Sequence, residues 1–249
     1  MPSNLRVSVL GSSGSYASPD NPCTGFLLRS DRATVLLDCG PGTLGPLQKL
    51  IDPSELTAIV LSHCHPDHWM ELPVLRNVLM FFCPVEEIAV YGTAETRRMD
   101  DSVHVRHPTH GDPIRWTVIG ADSTLSIGDQ SWSFSLTDHS VETLACRVDV
   151  GDSSFAFSSD TGPGWSVGEL GSGIDLAICE ASFLSPMEGQ GIPHSSARQT
   201  GESARRAAVK KLVLTHLPPG SDPSQHVAEA EEAFGAEVEL AEPGVTFEI

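Results

Sequence analysis

Apolar residues along this chain fall mostly in short runs or in strict alternation, and only in a few stretches at helical spacing. Leu5-Arg6-Val7-Ser8-Val9-Leu10 and Trp132-Ser133-Phe134-Ser135-Leu136-Thr137 alternate apolar with polar positions, the period of a strand with one face buried. Leu56-Thr57-Ala58-Ile59-Val60-Leu61 and Leu212-Val213-Leu214-Thr215 are nearly continuous, as strands covered on both faces are. The pattern predicts strands at 5–10, 25–30, 33–38, 57–61, 87–91, 115–119, 131–137, 143–149, 153–158, 175–179, 211–215 and 244–248. Helices are predicted near 43–50, 69–81, 94–101, 195–209 and 223–234, the last opening with Ser221-Asp222-Pro223, a capping residue followed by proline in the first turn. So many buried strands with few helices call for an α/β fold of four layers, αββα: two mixed sheets face to face with helices outside.

Several of these strands end in residues suited to chemistry. The 57–61 strand runs into His63-Cys64-His65-Pro66-Asp67-His68, four metal-capable side chains besides the cysteine. If the backbone stays extended for a residue or two, His63 and His65 point to one side and Cys64 to the other, because strand side chains alternate. Asp67 and His68 fall where the chain must turn away, and they would serve a second ion. Four ligands cannot close two sites. Other strands end in the same way, at Asp138-His139-Ser140, at Ser159-Asp160-Thr161-Gly162 and at His216-Leu217-Pro218-Pro219. A lone strand-end histidine is ordinarily a satisfied surface or core residue; an apolar strand followed by a ligand, repeated this often, is not.

In that order the chain resembles the metallo-β-lactamase superfamily of metal-dependent hydrolases. The resemblance implies that superfamily's four-layer αββα fold in a single domain over 1–249. It implies His63, His65 and His139 on a first metal, Asp67, His68 and His216 on a second, and Asp160 bridging them. Imidazole and carboxylate ligands suit two zinc ions and are compatible with manganese or iron. Leu10-Gly11-Ser12-Ser13-Gly14-Ser15, Asp160-Thr161-Gly162, Cys179-Glu180-Ala181-Ser182-Phe183 and Pro193-His194-Ser195-Ser196 further resemble the ribonuclease Z branch. In that branch the histidine corresponding to His194 donates a proton to the leaving oxygen of a phosphodiester. Water activated between the metals would attack phosphorus, with Asp67 orienting it and Glu180 fixing the tautomer of His194.

Ribonuclease Z inserts a long arm that grips transfer RNA between the ligands corresponding to His139 and Asp160. Here twenty residues separate the two, filled by a tight pair of strands around a Gly151-Asp152 turn. Charge points the same way. Fifteen Lys and Arg against thirty-three Asp and Glu give a net charge of −18, with lysine only at Lys49, Lys210 and Lys211. A protein that holds a polynucleotide by its phosphates needs a basic surface. The similarity is therefore closer to compact bacterial phosphodiesterases of the actinobacterial cyclic-nucleotide type. It runs through Val9 to Ser15, Ser18-Pro19-Asp20, Leu61-Ser62-His63, Ser159 to Gly162, Cys179 to Ser182 and Leu214 to Pro219.

These readings give a dinuclear metal phosphodiesterase acting on a small nucleotide, a 3′,5′-cyclic nucleotide first. The rivals are a transfer-RNA 3′ processing endonuclease and a non-catalytic metal-binding accessory protein. The expected partner is a small phosphodiester substrate, with no nucleic acid and no membrane; a homodimer is compatible. The six cysteines show no Cys-x-x-Cys pairing and no apolar signal segment precedes the first strand, so a reduced, cytoplasmic protein is expected. His104, His107 and His110 lie in a 104–113 stretch where Pro108 argues against a helix. It reads as a surface loop, whose functional alternatives are a lid over the pocket and a third metal site.

Overall fold

The computed structural model describes residues 5–249. Fourteen strands are β1 Arg6–Gly11, β2 Gly25–Arg29, β3 Thr34–Leu37, β4 Ala58–Val60, β5 Ile88–Gly92, β6 Ile114–Val118, β7 Thr124–Ile127, β8 Gln130–Leu136, β9 Leu144–Val150, β10 Ser153–Phe157, β11 Leu176–Glu180, β12 Lys211–Thr215, β13 Val238–Leu240 and β14 Thr246–Glu248. The helices are α1 Leu44–Leu50, α2 Pro66–Trp69, α3 Leu72–Phe81, α4 Ala94–Val103, α5 Ala197–Arg206 and α6 Pro223–Phe234. The strands form two seven-stranded sheets, ordered β14-β1-β2-β3-β4-β5-β6 and β13-β12-β11-β10-β9-β8-β7. Both are mixed. β3 to β6 run parallel while β14, β1, β2 and β3 alternate, and β10 to β13 run parallel while β7 to β10 alternate.

Strand periodicity divides the apolar side chains among three layers of contact. In β3, Val35 and Leu37 face the second sheet, where Phe155, Phe157, Trp132 and Val213 meet them, while Leu36 faces outward. Phe26 and Phe157 close the space between the sheets edge to face, centroids 5.2 Å apart. Outside the first sheet, Leu27, Leu36 and Ile59 pack on Leu47, Leu72, Leu75 and Leu79 of α1 and α3. Outside the second, Ala156, Ala177 and Leu212 pack on Ala204 of α5 and Ala230 and Phe234 of α6. The small residues there let the helices come close: a Cβ at Gly201 would lie 2.5 Å from the Ala230 carbonyl oxygen. The four-layer αββα arrangement expected from the sequence is the observed one.

Two strands escaped the pattern. β7 is Thr-Leu-Ser-Ile at a sheet edge, mostly exposed, and it owes its conformation to pairing with β8 rather than to its own apolar content. β13, also an edge, is held by parallel pairing with β12. The expected helix 69–81 starts later, at Leu72: Trp69 closes the separate single-turn helix α2, the chain breaks at Met70-Glu71, and Pro73 lies in the first turn of α3.

The 104–113 stretch is a surface loop, as expected, and lies away from the His63 to His68 segment. It leads into β6 at Ile114, which pairs in parallel with Ile88 at the start of β5, whereas His63 follows the last residues of β4 at the opposite end of the sheet. His107 and His110 bring their Nδ1 atoms to 3.0 Å beside Phe81, and His104 Nδ1 lies 3.4 Å from Asp112. Among the described residues this loop contributes to no cluster of three convergent ligand atoms.

Candidate metal centre

The segments flagged by their strand ends all leave the same edge of the two facing sheets. β8 and β10 are both antiparallel to β9, and β11 and β12 run parallel to β10, so Asp138-His139, Ser159-Asp160, Glu180 and His216 emerge together. The His63 to His68 stretch reaches them from β4 and turns into the single-turn helix α2. Among the described residues, four of the five non-glycine residues with positive φ, Ser15, Asp38, Ser159 and His216, follow strand ends at this edge. Such backbone costs stability and persists where the surrounding structure holds it for a purpose.

Two sets of donor atoms converge. His63, His65, His139 and Asp160 each offer an atom within 4.8 Å of the others, and so do Asp67, His68 and His216. His139 Nε2 is 3.1 Å from His65 Nδ1, while His63 Nε2 and His139 Nε2 lie 3.6 and 3.8 Å from Asp160 Oδ2. The other oxygen, Asp160 Oδ1, faces His68 Nε2 at 3.2 Å and His216 Nε2 at 3.4 Å. Asp67 Oδ2 completes that side, 3.2 Å from His216 Nε2 and 3.7 Å from His68 Nε2. Asp160 thus turns one oxygen to each set.

The opposite nitrogen of four imidazoles is anchored. Asp38 accepts from His68 Nδ1 at 2.7 Å and also from Ser62 N and Oγ, both at 2.8 Å. With its proton on Asp38, Ser62 Oγ accepts from His63 Nδ1 at 3.1 Å. His139 Nδ1 donates to the Pro193 carbonyl at 2.8 Å, and His216 Nδ1 lies 3.0 Å from Ser182 Oγ. These bonds engage Nδ1 of each ring and leave Nε2 facing inward, the atom whose lone pair a cation would take once any proton there is released. His63 Nε2, His68 Nε2 and Asp160 Oδ1 are buried without a hydrogen-bond partner. Buried polar atoms rarely go unpaired. With zinc–ligand bonds of about 2.0 to 2.2 Å, neighbouring donors in a tetrahedral site sit roughly 3.3 Å apart, so the residues present fit a divalent ion on each side. Cys64 joins neither set; it is buried, and its carbonyl accepts from Trp69 Nε1.

Above the cluster lies His194, ring centroids 5.0 Å from His139 and 5.4 Å from His216. Its Nδ1 meets both Glu180 oxygens at 3.1 Å. Glu180, at the end of β11 and 1% exposed, also accepts from Thr161 N and Ser182 Oγ. The His194 side chain keeps 20% exposure. Its ring also comes within 4.8 Å of Asp160 and His216, a third convergent group beside the two ligand sets.

The chain matches the β-lactamase superfamily domain over residues 33–217. It is 32% identical to the uncharacterized protein ML1173 of Mycobacterium leprae, covering 98% of this chain and 89% of that protein. The chain belongs to the β-lactamase superfamily. Other members similar to it are the probable metallo-hydrolase YhfI of Bacillus subtilis, 27% identical over 98% of this chain and 100% of that one, and a ribonuclease Z of Haloarcula marismortui, 24% identical over 97% and 96%. The crystal structure of YhfI superimposes with a TM-score of 0.88 at 24% identity, covering 99% of this chain and 100% of that one. A diphosphatase of the PhnP family does so with 0.78 at 17% identity, covering 98% of each chain, which shows the shared fold. Within this superfamily fold the chain carries a His and Asp cluster compatible with divalent metal.

Charge in this superfamily member's centre is arranged for cations. Burial opposes the charged form of His68, yet Asp160 and Asp38 outweigh it and hold the ring's pKa well above the ordinary value. Burial likewise opposes His216, and Asp160 with Asp67 raises it. Asp160 stays well below the carboxylate range despite burial, because His216, His68 and His63 surround it. Protons on these rings occupy the electrostatic place of a metal ion, so binding a metal releases protons. His63, by contrast, is pushed well below the usual value by burial and by His68. Burial also works against a charged His194, but the hydrogen bond and charge of Glu180 overcome it and push the pKa up to about 9.

Sequence reasoning missed Asp38, Ser62 and Ser182. Asp38 carries the signal used elsewhere, a ligand-type residue directly after an apolar strand, and could have been found by it. The serines carry none, because a hydroxyl anchors a histidine only through a tertiary fold. No helix among the described residues is long and apolar enough to cross a membrane.

Proposed function

We propose that this protein is a dinuclear metal-dependent phosphodiesterase that hydrolyses a small nucleotide phosphodiester, a 3′,5′-cyclic nucleotide first. One observation carries this reading: Asp160 turns one oxygen to each of two ligand sets, beneath an accessible His194 held by a buried carboxylate. His63, His65 and His139 would hold one ion, Asp67, His68 and His216 the other, and Asp160 both. When bound, two divalent ions, zinc by ligand type, supply Lewis acidity at the phosphoryl oxygens and lower the pKa of a water towards ~7.

The chain's own residues do the rest. Glu180 fixes the hydrogen of His194 at Nδ1, so the proton given to the leaving ribose oxygen comes from Nε2. Asp67 Oδ2 is held by Ser15 N–H at 2.9 Å, which aims it at the reacting side and lets it orient the attacking water. Backbone approach makes this hold feasible: a Cβ at Gly14 would lie 2.4 Å from the His216 carbonyl oxygen, so the loop can lie against the centre only with glycine there. Similarity to ribonuclease Z and to a diphosphatase supports chemistry at a phosphorus–oxygen bond. The strands β9 and β10, paired tightly from Val150↔Ser153, fill the space between His139 and Asp160 where an RNA-gripping arm would have to be inserted.

Turnover on a panel of cyclic nucleotides, a nitrophenyl phosphodiester and precursor transfer RNA tests the reading. Hydrolysis of cyclic AMP or cyclic GMP to a monophosphate is expected, without specific RNA cleavage at physiological salt. Site-specific RNA cleavage with cyclic nucleotides left intact would make the processing endonuclease the right assignment.

A further inference from the structure

The Ser182 hydroxyl stands between two imidazoles and a carboxylate and has one proton to give. Its Oγ reaches Glu180 Oε2 at 2.5 Å, His216 Nδ1 at 3.0 Å and His194 Nδ1 at 3.4 Å. The shortest contact is to an ionised acceptor, the stronger claim on that proton. With the proton committed to Glu180, the oxygen can only accept from His216, so Nδ1 of that ring must carry hydrogen. The free lone pair of His216 then lies on Nε2, the atom that faces Asp67 Oδ2 and Asp160 Oδ1. Among the described residues Ser182 is the only hydrogen-bond partner of His216 Nδ1.

We propose that Ser182 is a positioning residue that sets the tautomer of His216 and joins it to the Glu180 and His194 pair as one hydrogen-bonded unit. This rests on reading Asp67, His68 and His216 as ligands of one ion. The arrangement does for His216 what Asp38 does for His68. There a carboxylate meets the ring directly. Here Glu180 is engaged by His194 and Thr161, and the serine relays its hold to a second ring. One carboxylate therefore orients both the proton donor and a metal ligand.

Zinc affinity, measured by competition with a chromophoric chelator, tests this. Ser182→Ala leaves a buried Nδ1–H unpaired and removes the preference for that tautomer. It should weaken one of two zinc ions by roughly 10- to 100-fold, the cost of losing such an anchor, and leave the other unchanged. Ser182→Thr keeps the hydroxyl and should restore wild-type affinity. Nitrogen NMR of the His216 ring in the zinc-loaded wild type should report hydrogen on Nδ1, a readout that does not depend on the variants folding. Unchanged affinity for both ions in Ser182→Ala, or hydrogen on Nε2 in the wild type, would overturn the proposal. Fewer than two zinc ions on the wild-type chain would instead strike down the dinuclear reading on which it rests.

Discussion

Replacing His194 by alanine separates the proton donor from the ions. Proton transfer from a positioned side chain contributes about 10²- to 10⁴-fold, which is roughly 2.7 to 5.4 kcal/mol at 1.36 kcal/mol per decade. The structure argues that the loss should be chemical rather than structural. His194 is partly exposed, so no closed cavity is left, and Glu180 keeps Thr161 N–H and Ser182 Oγ as donors, so its charge stays partnered. Metal content should therefore match the wild type, because His63, His65, Asp67, His68, His139, Asp160 and His216 are untouched. The assay compares kcat on a cyclic nucleotide, whose ribose oxygen leaves poorly, with kcat on a nitrophenyl phosphodiester, whose leaving group needs no proton. A large loss on the first and a small loss on the second is expected. Equal losses on both substrates would refute the proton-donor role and leave His194 as a substrate-positioning group.

Asp160→Ala removes the one carboxylate shared by both sets. Stripping a partner from a buried charged group costs about 3 to 5 kcal/mol, so elemental analysis after dialysis should find both ions lost together with activity. One tightly held ion with full turnover would show that Asp160 does not bridge. Asp38→Asn takes the charge from the anchor of His68, and zinc affinity should fall by roughly 10- to 100-fold while the overall fold, followed by circular dichroism, persists. An affinity within twofold of the wild type would mean that Ser62 alone orients this corner. Because protein and substrate are both anionic, kcat/KM for a cyclic nucleotide should hold steady or rise slightly with added salt. The steep fall that a phosphate-gripping RNA enzyme shows would contradict the small-substrate reading.

Much of this centre could be read from residue order, and the reason is geometric. A sheet aligns strand ends, so any residue placed directly after an apolar strand is delivered to an edge; His63, His139, Asp160 and His216 were legible on that ground alone. β4 and β12 announced themselves by continuous burial on both faces. β7 and β13 did not, because edge strands take their conformation from a neighbour. The break at Met70-Glu71 hid at the start of the expected 69–81 helix, whose first residue belongs to α2. Ser182 was visible only as part of a resemblance, since its role depends on β11, β12 and the turn before α5 meeting in space. The His104 to His110 stretch is the surface loop its sequence predicts, with neither alternative role favoured. Histidine count suggested chemistry, but the parallel register of β5 and β6 carries that loop away from the reacting edge.

The proposed preference for a small anion rests on how far each force reaches. Two divalent ions against the carboxylates of Asp67 and Asp160 would leave the centre net positive, and at a few ångströms that field dominates whatever lies around it. Beyond about 8 Å at physiological ionic strength the pull is largely screened, and the surface a polymer must cross is set by thirty-three acidic against fifteen basic residues. A polynucleotide would lay many phosphates over that surface. A cyclic nucleotide brings one phosphodiester charge to the centre itself. Access agrees with this balance. His63, His68 and Asp160 are closed off from solvent, while His65 and His194 remain partly open, so an incoming phosphodiester meets the first ligand set and the Glu180-held proton together. In the proposed reaction, attack and protonation would then reach the same bond from residues that the two sheets hold at one edge.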